Sequence, residues 1–177
     1  MKQFLLSAIC AASLFIAEAQ QLKTPAPSTT QTIKQEFGLG SIELSYSRPN
    51  MKGRKIFGDL VPYGKVWRTG ANAATTVTFS DEVMVGGVKV PAGKYGLLSI
   101  PGESEWTLII TKQLDVTSPA AYKQESDVVL VQVKPLAMTM SRETFTMQIA
   151  NITDNGCEIH LLWDRTAFAE LRDLVVS

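Results

Sequence analysis

Histidine and cysteine are scarce in this chain. Among 177 residues there is one histidine, His160, and there are two cysteines, Cys10 and Cys157. One histidine is a poor metal site without carboxylates or cysteines gathered around it. A Ser-His-Asp triad would have to use His160 as its base, and no G-x-S-x-G motif accompanies it. Net charge is missing too: 17 basic residues balance 17 acidic ones. That balance gives no reason to expect nucleic acid or an anionic membrane as partner. Gly53-Arg54-Lys55 lacks the upstream glycine and the following Ser or Thr of a phosphate loop. These gaps leave no cofactor and no metal to expect.

The one apolar run that stands out lies at the start. Lys2 precedes Phe4–Ala17, broken only by Ser7 and Ser13, and Ala17-Glu18-Ala19 follows. This pattern reads as a secretory signal peptide over 1–19, cleaved to leave Gln20 first. The run is shorter than the roughly 20 residues that span a bilayer. No later segment is apolar enough to cross one. The expected location is therefore outside the cytoplasm, periplasmic or secreted. Cys10 falls inside the leader, so Cys157 is the only cysteine left and no internal disulfide can form. Its apolar surroundings mark Cys157 as a core residue.

Gln20–Gln31 is polar, holds two prolines and has no apolar period. It reads as a flexible linker, with a single domain over 32–177. From Thr32 the pattern is mostly of period two. Ile42, Leu44 and Tyr46 alternate with polar neighbours, as do Val77 and Phe79, Trp106 and Leu108, and Phe145, Met147 and Ile149. Gly86-Gly87 between two valine-rich runs marks a tight hairpin. The expected fold is all-β: an antiparallel sandwich, jelly-roll-like or a related barrel, of about nine short strands. Lys112–Asp127 reads as a long irregular link. In Thr166–Val175 the apolar residues Phe168, Leu171, Leu174 and Val175 fall at helical spacing, so a short C-terminal helix competes with a last strand.

Function concentrates in a long ordered loop between Arg48 and Asn72. Arg48, Lys52, Arg54, Lys55, Lys65 and Arg68 are opposed there only by Asp59. Arginine can hold an oxyanion with two donors. Tyr63 and Trp67 can stack on a sugar ring or a cation. The candidate binding residues are Arg48, Lys52, Arg54, Tyr63, Trp67, Arg68 and Asn72. The competing interpretation is structural: aromatics anchor the loop, and its guanidinium groups bond loop carbonyls or pair with Asp59. Trp67 and Trp106 are expected to be buried. Glu103 and Glu105 read as solvated turn charge, His160 as polar strand surface, and Asn151-Ile152-Thr153 as a weak glycosylation sequon.

Several motifs are familiar together. Tyr46-Ser47-Arg48-Pro49, Lys52–Gly58, Leu60–Asn72 and Pro91–Tyr95 resemble domain-of-unknown-function family 2911, exported proteins of Bacteroidetes-type bacteria. The resemblance runs from about Ile33 to Trp163 and implies a secreted, β-rich domain without assigned catalytic residues. The chain departs from the family pattern after Lys112. Gln113–Gln124 replaces a Gly/Trp-rich segment, and Leu130 stands where an arginine is expected.

Three functions follow as expectations. The first is a cell-envelope domain that binds a small polar or anionic ligand, a glycan or a partner protein through the Arg48–Asn72 loop. The second is an envelope glycan or ester hydrolase. The third is a purely structural or interaction domain.

Overall fold

The computed structural model describes residues 24–176. The expected leader and residues 20–23 of the expected linker lie outside them. Ten strands follow in order: β1 (Thr29–Phe37), β2 (Gly40–Arg48), β3 (Thr76–Phe79), β4 (Val83–Val85), β5 (Val88–Val90), β6 (Gly93–Ile100), β7 (Trp106–Thr111), β8 (Asp127–Val133), β9 (Leu136–Ala150) and β10 (Gly156–Val176). Six of them form one sheet in the order β1-β2-β3-β6-β7-β8, and four form a second in the order β5-β4-β10-β9. Every pairing is antiparallel. The two sheets stay separate, so the fold is a sandwich and not the related barrel.

The period-two pattern explains the main core. Ile42, Leu44 and Tyr46 of β2 are buried against Phe145 and Met147 of β9 and Ile159, Leu161 and Trp163 of β10. Gly86 and Gly87 both take positive φ, 55° and 81°, and close the β4–β5 hairpin in two residues. Tyr46 spans the sandwich: its hydroxyl donates to Gln31 Oε1 at 2.7 Å and accepts from the Met147 amide at 2.9 Å. Burial pushes the Tyr46 phenol above its ordinary pKa, and the Met147 hydrogen bond offsets part of that.

The larger sheet is also covered on its outer face. Leu98 of β6 and Ile109 of β7 form a second core with Ala74 and Val116, and Val66, Ile100 and Tyr122 pack against it. The cover comes from the 62–74 loop and the Lys112–Asp127 link. The link contains two short 3-10 turns, Pro119–Ala121 and Gln124–Ser126. Two-sided burial explains why β6 and β7 are more apolar than simple alternation requires.

Of the two readings open for the C-terminal segment, the strand is the one formed: it continues β10, pairing Ala167 with Leu136 and Val175 with Met84. Strand β4 has only β5 on its other side, so β10 supplies the backbone partners that a helix would withhold. Strand β1 begins at Thr29, within the stretch read as linker. Thr29, Thr30 and Gln31 pair with Arg48, Ser47 and Tyr46.

A chain beginning at Ser28 should therefore melt at the same temperature as one beginning at Gln20. A chain beginning at Thr32 should melt lower, because it loses three paired strand residues and the Gln31 acceptor of Tyr46, a hydrogen bond of about 0.5–1.5 kcal/mol. Identical melts for the Ser28 and Thr32 chains would contradict the pairing.

Candidate functional site

The chain leaves β2 at Arg48 and crosses from the first sheet to the second. The Phe145 amide donates to Pro49 O at 2.9 Å, and the Met51 amide to Glu143 O at 2.8 Å. Asn50 forms a bridge with Thr144, so this stretch covers the edge of β9. Lys52 and Gly53 turn the chain with φ of 52° and 71°. A tight turn follows, in which the Val61 amide donates to Ile56 O at 2.9 Å and the Gly58 amide to Val61 O at 3.0 Å. Gly58 has φ of 84°, and a Cβ there would lie 2.8 Å from the Tyr63 ring. Glycine suits this position on both counts, the positive φ and the close approach of the ring.

The loop then rejoins the first sheet at Trp67. Its amide donates to Ser99 O at 2.7 Å, and the Ser99 amide donates back to Trp67 O at 2.9 Å. Trp67 occupies the place beside β6 that β3 has vacated. Its ring stacks on Trp163 at 5.9 Å with 17° between planes, and meets Phe145 edge-on at 5.2 Å. Phe57 and Trp106 complete the cluster at 6.4 and 6.3 Å from Trp67. The indole N–H is satisfied by Gly70 O at 2.9 Å. Next to it Thr69, a β-branched residue at φ 52°, is held in an uncommon backbone conformation. Its hydroxyl bonds Ser99 Oγ at 3.0 Å, and Thr75 Oγ1 donates to its carbonyl at 2.7 Å.

The seven candidate residues divide into two groups. Arg48 reaches across the sandwich, Nε donating to Phe145 O at 3.2 Å and Nη2 to Thr146 Oγ1 at 3.1 Å. Arg54 donates to Met51 O and Asn50 O at 2.8 and 2.6 Å. Arg68 Nη1 donates to Asn72 O and Thr117 O at 3.0 and 2.6 Å. The Asn72 amide donates to Ser28 O at 3.1 Å. These four side chains brace the loop, and Trp67 anchors it. Lys52 and Tyr63 turn outward. Among the described residues no ion pair joins the loop arginines to Asp59.

Two clefts flank the Leu60–Trp67 stretch. The end cleft, about 290 Å³, is walled by Phe57, Tyr63, Trp106 and Leu136 and carries Glu103 and Arg165. Tyr63 is 39% exposed there, while Trp106 is 1% exposed and shows only an edge. Arg165 keeps one bond to the chain, Nη1 to Thr139 O at 3.1 Å. The second cleft, about 190 Å³, lies between the loop and Thr117–Pro119 and carries Lys65 and Arg68. The loop arginines do not converge on one open point. The charged groups of the end cleft come instead from the β6–β7 turn and from β10. Sequence reasoning missed Glu103 and Arg165 in this role. The available signal was Asp164-Arg165 interrupting the apolar run of β10, where Asp164 takes φ of 51° at a register shift.

Elsewhere, His160 Nε2 lies 2.7 Å from Glu158 Oε2, and the Asn151 amide donates to the same oxygen at 2.6 Å. The pair is half-buried on β10. Tyr122 donates a very short hydrogen bond to Asp127 Oδ2. Burial, then that carboxylate, pushes the Tyr122 phenol well above its ordinary pKa.

The family described as "Protein of unknown function (DUF2911)" matches residues 28–170. The chain belongs to this family. No curated protein and no solved structure matches the chain. The DUF2911 match begins one residue before β1 and spans both sheets, the loop and both clefts. No helix among the described residues of this DUF2911 chain is long and apolar enough to cross a membrane.

Arg48→Ala should destabilise the fold by about 1–3 kcal/mol, because it strips a bridge between the sheets. Arg54→Ala should stay within about 0.5 kcal/mol, since its bonds are local and exposed. Urea melts of the two variants read the difference, and equal stability would refute it. Cys157 offers a second check. Burial first, then the nearby Glu158 charge, pushes its thiol up to about 11. At pH 8 a thiol reagent should label it only after denaturant is added. Full labelling of the native protein within minutes would contradict its burial.

Proposed function

We propose that this chain is an exported cell-envelope domain that binds a sugar-like ligand in the end cleft without transforming it. The observation that carries this reading is the exposed Tyr63 ring, held on Gly58 beside Phe57 and Trp106 and flanked by Glu103 and Arg165. Aromatic surface suits the C–H face of a sugar ring, and a guanidinium with a carboxylate suits its hydroxyl groups. A concave site that joins aromatic walls to a few placed polar groups is a usual form of small-molecule site. Glu103 is the only carboxylate lining the cleft among the described residues. Glycoside hydrolysis ordinarily uses two, which favours binding over the hydrolase alternative. Export rests on Lys2, the apolar run and Ala17-Glu18-Ala19. A second reading, a purely structural or interaction domain, is favoured by one observation: Arg48, Arg54 and Arg68 all donate to backbone carbonyls.

The mature chain from Gln20 can be titrated with cellobiose, maltose and N-acetylglucosamine oligomers by calorimetry. At least one should bind saturably, and Tyr63→Ala and Arg165→Ala should each weaken it about 10-fold. Binding untouched by both changes, or none at all, would favour the structural reading. Release of cleaved sugar would establish the hydrolase instead.

A further inference from the structure

We infer that the second cleft is a carboxylate site for a small organic acid with an apolar tail. It is distinct from the end cleft and lies on the other side of Leu60–Trp67. Arg68 is the centre of the argument. A guanidinium has five N–H donors. Nη1 is committed to Asn72 O and Thr117 O, at 3.0 and 2.6 Å, which fixes the group in place. The remaining Nε–Nη2 edge has no acceptor among the described residues. That edge is a planar two-donor fork, the shape that matches a carboxylate.

The surroundings agree in charge and polarity. Lys65 lines the same cleft, and no carboxylate among the described residues does. Neither cation has a salt-bridge partner among the described residues. This positive spot sits in a chain whose total charge is zero. The other walls are mainly apolar: Leu60, Val61, Pro62, Val66 and Pro119. A multiply charged phosphate would face these apolar walls with one fork and one amine to meet it. A monocarboxylate leaves its tail to them, and each methylene buried there strengthens binding. The cleft is pre-built: the Trp67 backbone is pinned to Ser99, and the Arg68 side chain ties the loop to Thr117 of the link. Little ordering is left to oppose binding.

The test is a titration of the mature, isotope-labelled chain with acetate, butyrate, hexanoate, hexanol and hexylamine, followed by amide chemical shifts. Hexanoate should bind about 10-fold or more tighter than acetate. Hexanol and hexylamine should not saturate. The shifted amides should fall within 60–68 and 117–119. Arg68→Gln should abolish hexanoate binding, but it also removes two bonds to the chain. Lys65→Ala is the second variant: Lys65 is exposed and bonds nothing among the described residues, so its melt should be unchanged while hexanoate weakens about 3-fold. No saturable binding, equal binding of hexanol, or shifts confined to the end cleft would each overturn the assignment. Sugar binding at the end cleft is read by the amides of Glu103, Trp106, Ala137 and Arg165, none of which lines the second cleft, so either site can fail without the other.

Discussion

The stacked contact between Trp67 and Trp163 holds together parts of the chain that nothing local would join. Trp163 belongs to β10 in the smaller sheet, and Trp67 belongs to a loop that hydrogen-bonds into the larger one. One ring therefore ties loop, sheet and sheet. Phe57, Trp106 and Phe145 close around the pair, mostly edge-on, which suits the charge distribution of aromatic rings. Because the indole N–H and the Trp67 backbone are all satisfied, this burial leaves no polar group stranded. Both clefts adjoin this cluster: Phe57 and Trp106 wall the end cleft and Trp67 itself lines the second.

The concentration of cations in a neutral chain has a structural use as well as a chemical one. The loop runs from Arg48 to Thr75 with few strand neighbours, so many of its carbonyls lack ladder partners. Arginine supplies several donors on one rigid fork, and Arg48, Arg54 and Arg68 each spend theirs on chain oxygens. Positive φ at Lys52, Gly53, Gly58, Gly64, Thr69 and Asn72 shows how sharply the chain turns between these braces. What the braces leave over includes the second edge of Arg68, the ammonium groups of Lys52, Lys55 and Lys65, and the exposed Tyr63 ring. The candidate chemistry lies in this remainder and not in the charge count of the loop.

The irregular Lys112–Asp127 link belongs to the same economy. Gln113 pins it, its amide donating to Ala121 O at 2.6 Å and its carbonyl oxygen accepting from the Lys123 amide at 3.0 Å. Held in this way, the link covers Leu98 and Ile109 and brings Thr117 against Arg68. The second cleft exists because this cover and the loop approach each other without closing. Thr117, Ser118 and Pro119 of this link build one wall of that cleft.

The alternation of Ile42, Leu44 and Tyr46 and of Phe145, Met147 and Ile149 was enough to read an antiparallel all-β domain, and Gly86-Gly87 was enough to read its tightest hairpin. The reason is that a strand buries every second side chain, so the period is written in consecutive residues. The loop was legible as ordered, because Phe57, Tyr63 and Trp67 are too apolar to leave in water. Its resemblance to the family was carried by the same residues. The tertiary structure alone decided the rest. Phe168, Leu171, Leu174 and Val175 share a helical spacing, yet β4 needed a backbone partner and took β10. Arg48 ends on Phe145 O, 97 positions away, and Arg68 on Thr117 O, 49 positions away. Glu103 and Arg165 share a cleft although no local pattern links them. Whether a cation faces a ligand or a carbonyl depends on which distant backbone group arrives beside it. Local periodicity carries no record of that arrival.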